Sequence, residues 1–338
     1  MQRSGASGKH LGGSASPTVL VAPDSFKGTY AAAEVAAHIA RGARAAGATA
    51  VECPLADGGE GTYDVLRHAL SADVVEVETV GPWRDPLRAA YALTREGVAI
   101  IELAAASGLG LRRDDDDALA SDTFGTGLLV AHAAERGAGH IVIAAGGSAT
   151  TDGGAGAVAA IAERGGLRGA RITVLCDVTT SFEDAAVVFG PQKGADPDQV
   201  GLLTARLHEQ AGGYPSDPRG VARTGAAGGF SGALWSWYGA ELVSGADYVL
   251  DMIDFDRLAG DAMAIVVGEG RLDSQTQQGK IISAVLTRVA NKPVFAVVGS
   301  IDLDLGEFAE RFDGIMVASD PTALAEAGAR VAERVRPA

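Results

Sequence analysis

Cysteine is nearly absent. Cys53 and Cys176 are the only two in 338 residues, far apart and without CxxC spacing. That excludes a disulfide framework and a thiolate zinc site, and it fits a reducing cytoplasm. Aromatic residues are also few, at 5%. With so much glycine and small aliphatic sequence beside them, an α/β enzyme fits better than an all-β binding module. No apolar run reaches the roughly 18 residues of a membrane span. Positive charge is in deficit: 28 Lys and Arg stand against 43 Asp and Glu, a formal net charge of −15. Sequence-independent nucleic-acid binding draws on basic patches, so it is excluded as a main activity.

Several nucleotide and hydrolase signatures are missing as well. A Walker A loop needs GxxxxGK[ST]; the nearest approach, ending in Gly279, Lys280 and Ile281, lacks the first glycine and the hydroxyl. GxGxxG, GxSxG and HExxH do not occur. Residues 1–16 are polar and rich in glycine and serine. They lack an apolar signal core and read as a disordered leader.

What the chain has is glycine, 46 residues of it, gathered into loops that also carry acids. The most prominent is AAGGSATTDGGAG at 144–156, between an apolar run (140–145) and a helical stretch (155–162). Glycine lets backbone approach a ligand closely, and N–H groups ahead of a helix bind anions. Gly146, Gly147, Ser148, Thr150 and Asp152 therefore read as a phosphate cradle, or as an ordinary β–α turn packed through its glycines. Similar turns recur at 56–61 (ADGGEG), 225–232 (GAAGGFSG) and 268–273 (GEGRLD).

The periodicity opens as strand, helix, strand, helix over 18–70, changes to three short strands without helices over 73–103, and resumes a strand–helix alternation from 262. This predicts an α/β protein of two domains. A Rossmann-like parallel-sheet domain is formed by 17–75 and 261–338, and a second α/β domain is inserted at 76–260. Ligands in open α/β sheets bind beyond the carboxyl ends of the strands, where 24–27 and 57–61 fall. Lys27, Lys193 and Lys280 each neighbour a glycine, and Asp57, Glu60, Asp152, Asp177, Glu269 and Asp273 supply carboxylates in loops. Cations, a carboxylate-held Mg²⁺ and a group orienting the attacking hydroxyl are what phosphoryl transfer requires. Residue chemistry alone reaches an ATP-using small-molecule kinase or phosphatase and stops there.

The motifs together resemble the glycerate kinase family. The matching stretches are APDSFKG (22–28), PLADGGEGT (54–62), ELAAASGL (102–109), GTG (125–127), GGSATTDGGAG (146–156), CDV (176–178), VFGPQKGA (188–195), GAAGG (225–229) and GEGRLDSQT with GK (268–276, 279–280). The resemblance implies ATP, Mg²⁺ and D-glycerate, with an active site in the cleft between two α/β domains, and 2-phosphoglycerate as product. Under it, Lys27, Asp57 and Asp152 are the expected catalytic residues. Ser25, Gly58, Gly59, Glu60, Gly146, Gly147, Ser148, Thr150, Lys193 and Lys280 bind substrate or phosphate, and Asp177, Glu269 and Asp273 hold metal. A 3-phosphoglycerate product, another hydroxy acid, or an inactive sensing homologue remain alternatives. Departures from the family pattern include Thr151 in place of asparagine, Leu128 in place of glutamate, and Ile281 where proline is usual. A homo-oligomer is compatible with the sequence, which carries no signal for its order.

Overall fold

The computed structural model describes residues 18–113, 116–272, 281–289, 291–302 and 305–336. In chain order its elements are β1 (Thr18–Pro23), α1 (Ala32–Ala45), β2 (Thr49–Glu52), α2 (Thr62–Ala69), β3 (Asp73–Val80), β4 (Pro86–Leu93), β5 (Val98–Glu102) and α3 (Ala104–Ser107). They continue as α4 (Phe124–Glu135), β6 (His140–Ala144), α5 (Ala155–Glu163), β7 (Arg171–Leu175), α6 (Ala185–Phe189), α7 (Pro197–Gly213), α8 (Phe230–Tyr238) and β8 (Glu241–Val243). Last come α9 (Gly245–Met252), α10 (Phe255–Asp261), β9 (Ala264–Leu272), α11 (Ile281–Arg288), β10 (Val294–Ile301), β11 (Gly314–Val317) and α12 (Pro321–Arg334).

The protein is α/β, built on two sheets. One has five parallel strands in the order β11-β10-β9-β1-β2. Val19, Leu20 and Val21 of β1 are fully buried, as a central parallel strand covered on both faces must be. The other sheet has six strands in sequence order, β3 to β8. Its first three form the antiparallel meander expected from the helix-free stretch, and β5 to β8 run parallel.

Helices fill the faces. On one side of the five-stranded sheet, α1 and α12 pack through Val35, Ile39, Leu324 and Val331. They approach so closely that a Cβ on Gly42 would lie 1.7 Å from the Ala325 carbonyl oxygen. On its other side lie α9, α10 and α11, through Leu250, Phe255 and Val285. The six-stranded sheet is covered by α4, α5 and α8 on one face. On the other face α2 packs through Val65 and Leu66 beside Val249 of α9. Helix α9 is thus a wedge, with Leu250 turned to one sheet and Val249 to the other.

By packing, α2 sides with the six-stranded sheet although it precedes residue 76, α10 sides with the five-stranded sheet although it begins before residue 261, and α9 serves both. Hydrophobic periodicity marks a helix but not the sheet it will cover.

The chain reverses direction within the five-stranded sheet. From β1 it moves outward to β2, then returns past β1 to β9, β10 and β11. The switch point lies between β1 and β9, where the Asp24 N–H donates to the Gly268 carbonyl at 2.8 Å. Strand β9 runs on through Leu272, pairing Glu269 with Val298 and Arg271 with Ser300. Glu269 and Arg271 are therefore strand residues, not loop residues as GEGRLD suggests. Gly270 leaves room for the turn after β1: a Cβ there would sit 3.3 Å from the Phe26 Cα.

Candidate active site

The carboxyl ends of the two sheets face each other across a cleft, and the loops that leave them carry acids. Asp24 follows β1, Asp57 follows β2, Glu102 ends β5, Asp177 follows β7, and Glu269 lies in β9. Among the described residues, the ammonium that stands with them is that of Lys27. Lys27 Nζ lies 3.7 Å from Asp57 Oδ2, with the lysine largely exposed and the carboxylate mostly covered. Asp57 is held from below, because its Oδ1 accepts the Gly59 N–H at 2.9 Å. That leaves Oδ2 directed at Lys27.

This crowding shows in proton affinities. Burial, and then the Asp57 charge, push Asp24 up to about 7 and Asp177 up to about 8. Lys27 is raised, first by Asp57 and then by Asp24 after the opposing effect of burial. Asp177 also accepts the Gly245 N–H at the start of α9, at 3.2 Å. Glu102 accepts the N–H groups of Gly61 and Tyr63 at 3.3 and 3.4 Å, and burial pushes it up to about 7.

Two cavities meet at the turn after β1 and share Asp24, Ser25, Lys27 and Thr29. The larger, about 960 Å³, lies toward α1, α2 and the six-stranded sheet, with Tyr30, Ala33, Tyr63 and Ala105 on its walls and Glu60 and Glu102 at its edge. The smaller, about 400 Å³, opens over the ends of β9 and β10 and is lined by Asp57, Glu269, Arg271 and Ser300.

The cleft floor is a set of glycine contacts. A Cβ on Gly58, whose φ is +98°, would fall 2.8 Å from the Gly245 Cα, and one on Gly146 would fall 2.5 Å from the Gly59 Cα. Loops from opposite sheets touch here because neither has a side chain. Gly146 and Gly147 form the open tip of the 144–156 loop, while residues 148–154 are buried.

The structure does not bring Asp152 to the cleft. Its carboxylate is enclosed and saturated: Oδ2 accepts from the Thr123 N–H, the Thr123 hydroxyl and the Gly156 N–H, and Oδ1 from the Gly154 N–H. These donors belong to the N-termini of α4 and α5, so Asp152 caps two helices at once. The donors expected to cradle phosphate at α5 are thereby taken by the chain's own carboxylate. Lys193 is likewise internal. Its Nζ donates to Ser148 Oγ at 2.7 Å and to the Thr150 carbonyl at 2.6 Å, and burial lowers it to about 7. It pins the glycine loop from behind and lines neither cavity. Thr150 Oγ1 is buried and has no hydrogen-bond partner among the described residues.

Of the residues expected at the site, Ser25, Lys27, Asp57, Glu60 and Glu269 line the two cavities. Asp177 adds its charge beside Asp57 and Lys27, and Gly58, Gly59, Gly146 and Gly147 shape the floor or its edge. Asp273 and Lys280 lie outside the described residues. Asp24, Glu102, Arg271 and Ser300 line the cavities as well; the sequence places 24–27 at a ligand-binding strand end without giving Asp24 a role, and Glu102 closes another apolar strand run in the same way. Leu128 and Thr151, the two departures from the family pattern in helix and loop, line neither cavity.

A family model described as the glycerate kinase family matches residues 19–165 and 161–338. This chain belongs to the glycerate kinase family. It is 38% identical to a glycerate kinase of Bacillus subtilis (strain 168), over 85% of this chain and 86% of that one. It is 35% identical to a glycerate 2-kinase of Escherichia coli (strain K12), over the same shares of the two chains. A crystal structure from Salmonella typhimurium LT2, described as a glycerate kinase 2, superimposes with a TM-score of 0.81 at 34% identity, covering 94% of this family member and 98% of that chain. Among the described residues no helix is long and apolar enough to cross a membrane.

Proposed function

We propose that this enzyme transfers the γ-phosphoryl group of ATP to the 2-hydroxyl of D-glycerate, giving 2-phosphoglycerate and ADP. The observation that carries the reading is the Lys27–Asp57 pair, 3.7 Å apart where the two cavities meet. Family membership and the glycerate 2-kinase of Escherichia coli support the substrate and the position phosphorylated.

Asp57 Oδ2 accepts the hydroxyl proton as the oxygen forms its bond to phosphorus and the bond to the ADP oxygen breaks. Lys27 neutralises charge on the oxygens of the passing phosphoryl group. Among the described residues no three metal-ligating side chains form a closed cage. Mg²⁺ normally takes only one or two carboxylates and completes its shell with phosphate and water. Asp177 and Glu269 are of that chemistry and fit such a role; burial and then the Asp57 charge raise Asp24 and Asp177, and a bound cation would offset both effects. Mg²⁺ there supplies neutralisation of the polyphosphate charge. The same reading makes this a cytoplasmic enzyme acting on small molecules.

The test is steady-state turnover of D-glycerate with ATP and Mg²⁺ by wild type and Lys27→Ala. The variant loses roughly 100-fold or more in kcat/KM with an unchanged circular dichroism spectrum, since Lys27 is exposed. Near-normal kinetics in the variant would remove Lys27 from the reaction.

A further inference from the structure

Two cavities that share a wall suit a two-substrate reaction, and their linings differ in kind. Both border the switch point between β1 and β9, so topology alone does not choose which ligand enters which. The chemistry of the walls does. The base of a nucleotide is flat, with apolar faces that need side chains on either side. A hydroxy acid of three carbons offers almost no apolar surface and needs a cation and hydroxyls around its carboxylate.

The larger cavity has the first character. Tyr30 comes from the turn after β1, Ala33 from the first turn of α1, Tyr63 from α2, and Ala105 from α3. The two alanines leave a slot, and the tyrosines are half-buried, each keeping part of its ring accessible. At about 960 Å³ it sits at the upper end of small-ligand sites, which span ~300–1,000 Å³. The smaller cavity has the second character. Arg271 and Ser300 are in register on β9 and β10, beside Ser25 and Asp57; the exposed Arg271 guanidinium also pairs with Asp302 at 3.1 Å, which holds it at the mouth of the cavity.

Resting on the kinase reading above, we infer that the base and ribose of the nucleotide occupy the larger cavity between Tyr30 and Tyr63, and that the hydroxy acid occupies the smaller one over Ser300 and Arg271. Lys27 then stands on the line between them. The polyphosphate enters from the α1–α2 side, and its terminal group reaches Lys27 and Asp57, where the acceptor hydroxyl arrives from the β9–β10 side. The exposed Lys27 side chain can follow the phosphoryl group from one cavity to the other.

The experiment pairs one variant in each cavity. Ala33 is exposed on α1, so Ala33→Trp fills the slot without entering the core. Tyr63→Ala opens the same slot and serves as the second variant. Ser300 is exposed at the end of β10, and Ser300→Trp obstructs the smaller cavity. Binding of ADP is measured by titration calorimetry without glycerate, and KM for each substrate by steady-state kinetics. Ala33→Trp and Tyr63→Ala raise the ADP Kd and the KM for ATP about tenfold or more and leave the KM for D-glycerate within about twofold; Ser300→Trp does the reverse. Exchange of the two patterns, or an ADP Kd unmoved by both α-side variants, overturns the assignment. If wild type binds ADP and Ala33→Trp abolishes that binding, but no hydroxy acid is phosphorylated, the nucleotide assignment stands while the kinase reading falls.

Discussion

Gly59 and Gly146, one from each sheet's loops, meet backbone to backbone, with room for no atom between them: a Cβ on Gly146 lies 2.5 Å from the Gly59 Cα. The contact sets the distance between the carboxyl ends of the two sheets, and with it the placement of Asp57 against the opposite wall. Gly146→Ala forces the loops apart. The expected cost is roughly 1–3 kcal/mol of stability, with a larger relative loss in kcat/KM, because Asp57 is two residues from the displaced backbone. Gly110→Ala has open space around its new methyl group and is the matched control, with both quantities unchanged. Equal behaviour of the two variants in thermal melts and kinetics would mean that the glycine contact does not set the cleft.

Asp152 separates a structural from a chemical role. Its two oxygens accept four hydrogen bonds that close the first turns of α4 and α5. Asp152→Asn replaces one acceptor oxygen with a donor amide against those N–H groups. The variant should lose roughly 2–4 kcal/mol of folding stability, the scale of one or two charge-assisted hydrogen bonds. Any fall in turnover should track the fraction folded. A variant with wild-type melting and a collapsed kcat would return Asp152 to the chemistry.

These two positions show what could be read from the sequence. The α/β alternation, the β3–β5 meander and the acid-bearing strand ends at 24–27 and 57–61 were legible, because each rests on local periodicity and on where apolar runs stop. The direction of a loop side chain has no such signal. A glycine–acid turn that cradles a phosphate and one that closes on its own carboxylate have the same composition, so the inward direction of the Asp152 and Lys193 side chains has no signal in the sequence. Helix α9 carries a weak sequence signal although Ser244 caps it, its side chain accepting the Asp247 N–H. Its apolar residues serve two sheets at once and blur the single stripe expected of a surface helix. Arg271 and Ser300 come together only through the register of β9 with β10, which no single stretch encodes.

Glu102 makes stability depend on pH. Its carboxyl is pushed up to about 7, chiefly by burial. The folded protein therefore keeps a proton that the unfolded chain has released above its ordinary carboxylate value, and folding stability falls as pH rises from about 4.5 through 7. Glu102→Gln removes that titration while keeping an acceptor for the Gly61 and Tyr63 N–H groups. Relative to wild type, the variant should gain on the order of 1–2 kcal/mol between pH 5 and pH 8. Parallel pH–stability curves for the two proteins in urea melts would contradict the assignment.

A divalent cation should act on the same cleft with a definite pH dependence. Asp24 and Asp177 hold protons at values of about 7 and about 8 because burial, and then the Asp57 charge, oppose their ionisation. A cation competes with those protons and binds better as pH rises. Millimolar Mg²⁺ should raise the melting temperature at pH 8 by more than at pH 5.5, and EDTA should reverse the gain. Asp177→Asn should diminish the effect. An increment that is equal at both pH values, or unaltered in the variant, would place cation binding elsewhere.

Phosphoryl transfer from ATP to the 2-hydroxyl of D-glycerate leaves a product that ³¹P NMR identifies by its resonance. Purified protein with D-glycerate, ATP and Mg²⁺ should generate ADP and the resonance of 2-phosphoglycerate in equal amounts, with L-glycerate left unreacted. A 3-phosphoglycerate resonance would contradict the proposed acceptor hydroxyl. Intact ATP with no phosphorylated acid would contradict the reaction itself.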